Sequence, residues 1–317
     1  MYSFIELLRA IAAMLITNSH FDGVYPWNIS WGGCPGVALF LTISGFLLVS
    51  SAKKQDFLPW WSKKVIRLYI SLTIVNIITV IIGFRSASVS LFLFPIMINL
   101  WYVPCIAVLY IPYYLVLKKL SGGGYRLCVI LLTVVAYTGL YCVRFRNEFF
   151  VEPEIWFRAL YGFIAMLIGS LIYDNKGSKL IKSKRLLLLL MTVSMCGGFL
   201  ITKLLMNRIP ILINLQFMTQ VFGVAFAAFM MLAGIGYEEE IKKLMGTMLG
   251  KLIGIISTCS LEIYLVQFAI IFYMKEIMFP INLIAIVLIV IGAAFVVHQV
   301  SNMINKVLIS RVEREIK

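Results

Sequence analysis

Long apolar stretches dominate this chain, and short polar connections punctuate them. A helix needs about 20 apolar residues to cross a bilayer, within a range of about 17–25. Stretches of that kind fall near residues 4–22, 35–51, 66–84, 91–117, 127–143, 157–173, 186–205, 211–234, 252–274 and 281–305. The pattern predicts an all-α fold: a polytopic membrane bundle of about ten transmembrane helices, forming one domain over residues 1–317. The fourth stretch contains Pro95, Pro104 and Pro112, so a kink or break is predicted there. Such a break is tolerated where it faces protein or a cavity, not lipid. No internal repeat and no separate soluble domain is evident.

Composition sharpens this picture. The 317 residues are 62% hydrophobic and 13% charged, with a mean hydropathy of +0.97. A soluble domain has too little polar surface to cover so much apolar area. The net charge of +14 raises the idea of a nucleic-acid partner, but the basic residues gather between apolar runs, where membrane topology places them. One set occupies alternate connections: Lys53, Lys54, Lys63, Lys64 and Arg67; Lys118, Lys119 and Arg126; Lys176, Lys179, Lys182, Lys184 and Arg185; Lys242, Lys243 and Lys251. The tail continues it with Lys306, Arg311, Arg314 and Lys317. The sparser set Arg85, Arg144, Arg146, Arg158, Lys203, Arg208 and Lys275 lies on the other side. Both termini are therefore predicted to be cytoplasmic. The chain start has neither a basic n-region nor a small-residue cleavage site, so it does not read as a cleavable signal peptide. Cys34, Cys105, Cys128, Cys142, Cys196 and Cys259 show no paired or metal-type spacing. They read as small hydrophobes, and no metal is expected.

The candidate chemistry begins in the first apolar stretch, which holds both Arg9 and His20. Eleven positions separate them, close to three whole turns at about 3.6 residues per turn, so a continuous helix puts them on one face about 16 Å apart. An ionisable residue inside a membrane is expensive and by default marks a functional site. The plainer reading is a snorkelling arginine and an interfacial histidine. On the predicted orientation His20 lies in the outer half of the membrane and Arg9 in the inner half. The loop Asp22–Pro35, with Tyr25, Trp27 and Trp31, is either a set of interface anchors or a platform for a carbohydrate ring.

Further along, Ser44 and Gly45 sit among bulky residues, where small side chains allow close helix approach. Ser44 has no local basic partner, so it does not read as a nucleophile. Lys64 and Arg67 are three positions apart and share a helix face. Two cations at a cytoplasmic mouth suit a phosphorylated ligand; the alternative is a topology-setting charge that meets lipid phosphate. Trp101 and Tyr102, beside Asn99 and Pro104, either line a cavity or pack in the core. Glu262 is a carboxylate in an apolar segment and needs a cationic or hydrogen-bonding partner, for which His20 or Arg9 are the candidates. His298, near the end of the last stretch, reads as interfacial.

Taken in order, Ile5-Glu6-Leu7-Leu8-Arg9 with His20, Phe40-Leu41-Thr42-Ile43-Ser44-Gly45-Phe46, Lys64-Val65-Ile66-Arg67, Leu100-Trp101-Tyr102 and Ser260-Leu261-Glu262-Ile263-Tyr264-Leu265 resemble integral-membrane acyltransferase family 3. The resemblance covers nearly the whole chain, and it rests on the order of the motifs rather than on any one of them. It implies a bacterial inner-membrane enzyme that moves an acyl group, most often acetyl, from cytoplasmic acyl-CoA to a hydroxyl of an extracytoplasmic carbohydrate. Acceptors of this class are surface polysaccharides and cell-envelope glycans. The resemblance makes His20 the essential histidine with Arg9 its partner, and it sets Lys64 and Arg67, with Arg9 and Trp101, at donor binding. Acetyl-CoA is then the donor, and membrane lipid surrounds the bundle.

Two departures qualify the resemblance. Lys64 stands where arginine is commoner, which keeps the charge and loses the bidentate fork. Gln267 stands where many members carry histidine, against a two-histidine mechanism. No hydrolase-like domain follows the last stretch, so a second transfer step would call for polysaccharide-biosynthesis proteins as partners. The implied chemistry has neutral His20 taking the acceptor's proton, with an acyl-histidine intermediate as the alternative. Glu262 would fix the imidazole tautomer, and Arg9 would bind the donor or stabilise oxyanion charge. The rival readings from the residues are a multi-pass exporter of a lipid-linked sugar or small solute and a scaffold of a polysaccharide-synthesis complex.

Overall fold

A computed structural model describes residues 2–27, 29–88, 101–120, 122–144 and 154–315. Every regular element among the described residues is helical. In chain order these are α1 Ser3–Asn18, α2 Gly33–Lys54, α3 Phe57–Ile81, α4 Tyr102–Lys119, α5 Gly123–Arg144, α6 Ile155–Asn175, α7 Lys179–Ser183 and α8 Arg185–Arg208. They continue with α9 Phe217–Gly236, α10 Glu238–Met245, α11 Met248–Thr258, α12 Ser260–Met274 and α13 Ile281–Glu315. A 3₁₀ helix, Pro210–Leu215, joins α8 to α9.

Seven described helices, α2, α3, α5, α6, α8, α9 and α13, are long and apolar enough to cross a membrane. Helices α11 and α12 meet at 77° and make an eighth candidate if taken as one span. The chain is therefore a multi-pass helical membrane bundle. Exposed leucines and valines run along α5 (Leu132, Val135) and α8 (Leu190, Val193), the surface that suits lipid.

Helix α1 is 16 residues long and lies at the centre, packed against α2, α9, α10, α11 and α12. Phe4, Ile5, Leu8, Ala12 and Ile16 are buried along it, which is the period-3.6 stripe the sequence carries. Its N-terminus has no local side-chain cap. The Glu238 carboxylate supplies one from α10, accepting from Ser3 N at 2.9 Å and Phe4 N at 2.8 Å. A carboxylate there satisfies two otherwise orphaned donors and meets the positive end of the helix dipole. Helix α2 packs closely on α6 because both present glycine at the crossing. A Cβ on Gly45 would come within 2.0 Å of the Met166 carbonyl oxygen, and one on Gly169 within 2.0 Å of that of Thr42.

Three expectations from the pattern are corrected. The first helix ends at Asn18 rather than near residue 22, because the following loop folds back onto it. Asn18 Nδ2 donates to Trp31 O at 2.7 Å and Tyr25 Oη donates to Asn18 Oδ1 at 2.7 Å. Burial pushes the Tyr25 phenol above its ordinary range, so it remains the donor. Gly32, at φ +117°, closes this loop where a Cβ would sit 2.9 Å from the Leu15 carbonyl oxygen.

The second correction concerns the break. Helix α4 runs unbroken past Pro112, and Pro104 falls in its first turn, where a missing N–H leaves nothing unsatisfied; residues 91–100, with Pro95, lie outside the described residues. A break does fall at Cys259, inside Ser257-Thr258-Cys259-Ser260, in the stretch 252–274 that the pattern reads as one helix. Serine and threonine compete with the helix for backbone hydrogen bonds. Third, Arg126, which the pattern places in a connection, is a buried residue of α5. It is 1% exposed, pairs with Asp174, and donates to Ser170 O at 3.1 Å.

Candidate active site

Two cavities abut along α1. On the orientation that the lysine and arginine pattern predicts, one is the inner and the other the outer. The inner one, of about 260 Å³, is lined by Arg9 of α1, Ser44 of α2, Lys64 and Arg67 of α3, Tyr102 and Tyr110 of α4, and Ser260 of α12. The outer one, of about 190 Å³, is lined by Ser19, His20, Trp31, Cys34, Trp101, Arg158, Tyr161, Lys203 and Gln220. Ile16 and Tyr264 line both, so the two cavities meet at these side chains. A string of aromatic contacts follows the same course. Tyr102 packs edge-on to Tyr264 at 5.4 Å, Tyr264 to Phe268 at 5.9 Å, and Phe268 lies 4.5 Å from the His20 ring.

The sequence-derived residues separate between these cavities. Arg9, Lys64 and Arg67 converge on the inner one. The guanidinium of Arg9 donates to Ser260 Oγ at 3.0 Å, and Lys64 Nζ lies 5.0 Å over the buried Trp60 ring. Three cations from two helices make a site that fits phosphate groups. His20 lines the outer cavity. It sits in the turn after α1, its backbone N–H bonded to Thr17 O at 3.0 Å. The turn places the imidazole, where a continuous helix had been expected to do so.

Trp101 was grouped with the donor-binding cations, but it lines the outer cavity, with the Arg158 guanidinium carbon 4.2 Å from its ring centre. Residues Asn99 and Leu100 of its motif lie outside the described residues.

Of its two candidate partners, Glu262 is not placed against His20, whereas its charge acts on the Arg9 guanidinium. Its Oε1 accepts from Ser71 Oγ at 3.0 Å, and its Oε2 lies 3.3 Å from His298 Nδ1. That second contact is close but poorly aligned for a hydrogen bond. Asn302 Nδ2 lies 2.7 Å from His298 Nε2; with the amide donating, the ring proton sits on Nδ1 and faces the carboxylate. His298, half-buried, is therefore a member of a polar cluster joining α3, α12 and α13. Gln267 is fully buried on α12, and among the described residues its amide has no hydrogen-bond partner.

Sequence reasoning did not single out Tyr264, Arg158, Lys203 or Gln220 as site residues. A signal existed for Arg158 and Lys203, since both stand on the sparser side of the Lys/Arg pattern. Gln220 carried none, because one amide in an apolar run looks like any other.

The bundle and its paired polar cavities define a multi-pass membrane protein that brings charged and titratable groups to its interior. Residues 2–298 match the acyltransferase domain model of acyltransferase family 3. The chain belongs to that family and is a membrane acyltransferase. No curated protein and no solved structure matches it.

Proposed function

We propose that this protein is an O-acyltransferase of the bacterial inner membrane. It moves an acyl group, acetyl first among the candidates, from cytoplasmic acetyl-CoA to a hydroxyl of an extracytoplasmic carbohydrate, a surface polysaccharide or cell-envelope glycan. The observation that carries this reading is the pair of abutting cavities, one lined by Arg9, Lys64 and Arg67 and the other by His20. On this reading α1, α4 and the bent pair α11–α12 join the seven long helices to give ten crossings, with both termini cytoplasmic.

The inner cations fit the phosphates of acyl-CoA, and Trp101 meets the acyl end of the donor rather than its phosphates. When bound, acyl-CoA supplies the activated thioester. Lys64 and Arg67 hold negative charge at the inner mouth, and Arg9, fixed by Ser260, extends the positive field toward the middle of the bundle. The thin arm of the donor would pass from one cavity to the other beside Ile16 and Tyr264, which line both. His20 acts as general base on the acceptor hydroxyl. The acceptor oxygen gains the ester bond as the thioester C–S bond breaks, and the hydroxyl proton passes through His20 to the departing sulfur. Glu262 is a positioning residue: with Ser71 and His298 it fixes the start of α12, and so Ser260 and Arg9.

The test is His20→Ala in purified protein with acetyl-CoA and a cell-envelope glycan extract. Acetyl transfer, read as CoA release and as added mass on the glycan, is expected to fall by about a hundredfold or more with normal expression. Wild-type turnover in His20→Ala overturns the mechanism. Solute counterflow without CoA release supports an exporter instead.

A further inference from the structure

We infer that Gln220 is a specificity residue for the acceptor: its side-chain oxygen takes a hydrogen bond from a sugar hydroxyl in the outer cavity and so helps to select which other hydroxyl is offered to His20. The inference rests on the transfer reaction proposed above and adds a residue to its acceptor side. Gln220 stands on α9 and lines the same cavity as His20. It is 8% exposed, and its Oε1 has no hydrogen-bond partner among the described residues. A buried acceptor left without a donor is unfavourable. A hydroxyl carried into the cavity by the substrate supplies that donor.

The polar side chains beside it in the cavity wall direct their donors elsewhere. Ser19 Oγ donates to Ile16 O at 2.7 Å, and Tyr161 Oη donates to Cys34 O at 2.7 Å. The Cys34 thiol turns to Thr219 O at 3.6 Å, the carbonyl just before Gln220. These contacts also hold α9 in place. Cys34 ties α2 to it, and Gly223, one turn beyond Gln220, lets Tyr161 Oη of α6 come within 2.8 Å of the point where a Cβ would stand. The amide is therefore carried on a packed element, as a group that discriminates between hydroxyls must be. Half-buried Trp31 adds a flat apolar face to the same cavity. A substrate without a hydroxyl at this place leaves Oε1 unpaired and is disfavoured for that reason. A ring held at Gln220 has its remaining hydroxyls at set distances from His20, and that orientation decides which one reacts.

The experiment compares wild-type protein with Gln220→Met, full-length in lipid nanodiscs, using acetyl-CoA and a bacterial cell-envelope glycan extract as probes. Methionine keeps the length of the side chain and removes both ends of the amide. KM for the extract is expected to rise about fivefold or more, the worth of one hydrogen bond, with KM for acetyl-CoA unchanged. The acetyl position, read by NMR of the product, is expected to spread over more than one hydroxyl. The thermal midpoint is expected to hold or rise, because an unpaired buried polar group has been removed. A purely structural amide gives the opposite pattern, so a lowered midpoint or a failure to fold overturns the inference. An unmoved KM for the extract with acetyl on the same hydroxyl means that water satisfies the amide, and overturns it too. A parallel rise in both KM values does the same, and each of these outcomes leaves the transfer reaction standing. No CoA release by the wild-type protein removes the transfer reaction and the inference together.

Discussion

At the scale of single residues, the inner cavity separates two cations that the sequence presents as a pair. Lys64 and Arg67 both line it, but a lysine is a point charge on a flexible stem and an arginine a rigid fork. Replacing Arg67 with alanine is expected to raise KM for acetyl-CoA by about tenfold or more, since a hydrogen bond to a charged group contributes about 1.5–3 kcal/mol. Lys64→Arg is expected to be tolerated and to lower that KM. Steady-state kinetics with acetyl-CoA as the varied substrate checks both; an unchanged KM in Arg67→Ala removes Arg67 from donor binding. Glu262 calls for a different argument, because its contacts are Ser71 and His298. Glu262→Gln keeps the shape and loses the charge that faces His298. It is expected to lower kcat with little change in the pH profile of turnover. A shifted profile would return Glu262 to the chemistry at His20.

At the scale of elements, α1 depends on a partner 235 residues away in sequence. Glu238 caps its first turn from α10, and nothing near residue 3 announces this. Glu238→Ala is expected to destabilise the protein by about 1 kcal/mol, the usual size of a lost cap, with Glu238→Gln retaining part of it. Thermal unfolding of the detergent-solubilised protein measures this, and an unshifted midpoint would mean that the cap contributes nothing. The bend between α11 and α12 is also an element-scale fact. It brings Ser260 to the first residue of α12, where its hydroxyl meets Arg9. A straight helix over 252–274 would have carried Glu262 through the bundle with no reason to end against Ser71.

At the scale of the whole molecule, orientation decides which cavity faces the donor. The distribution of lysine and arginine predicts that a reporter fused after Lys317 reads out as cytoplasmic. An extracytoplasmic reading would invert the roles of the two cavities. On the function proposed above, the order of the chemistry follows the lining: cations in one cavity, an imidazole in the other, and Ile16 with Tyr264 lining both.

The sequence by itself determined the helical membrane class, the apolar stripe of α1, and the candidacy of Arg9, His20, Lys64 and Arg67. Those follow from run length, helical period and the expense of charge in lipid, and all three are local properties of the chain. Only the tertiary structure decided that α1 stops at Asn18, that the break lies at Cys259, that Trp101 belongs with Arg158, and that Glu262 faces His298. Three of these depend on a partner elsewhere in the chain: a loop carbonyl that holds Asn18, a neighbouring helix that receives a carboxylate, a guanidinium that seeks an indole; the break at Cys259 falls in a local serine and threonine run whose effect only the folded chain reveals. An isolated polar residue in an apolar run states that it needs a partner, and packing alone selects which one it gets.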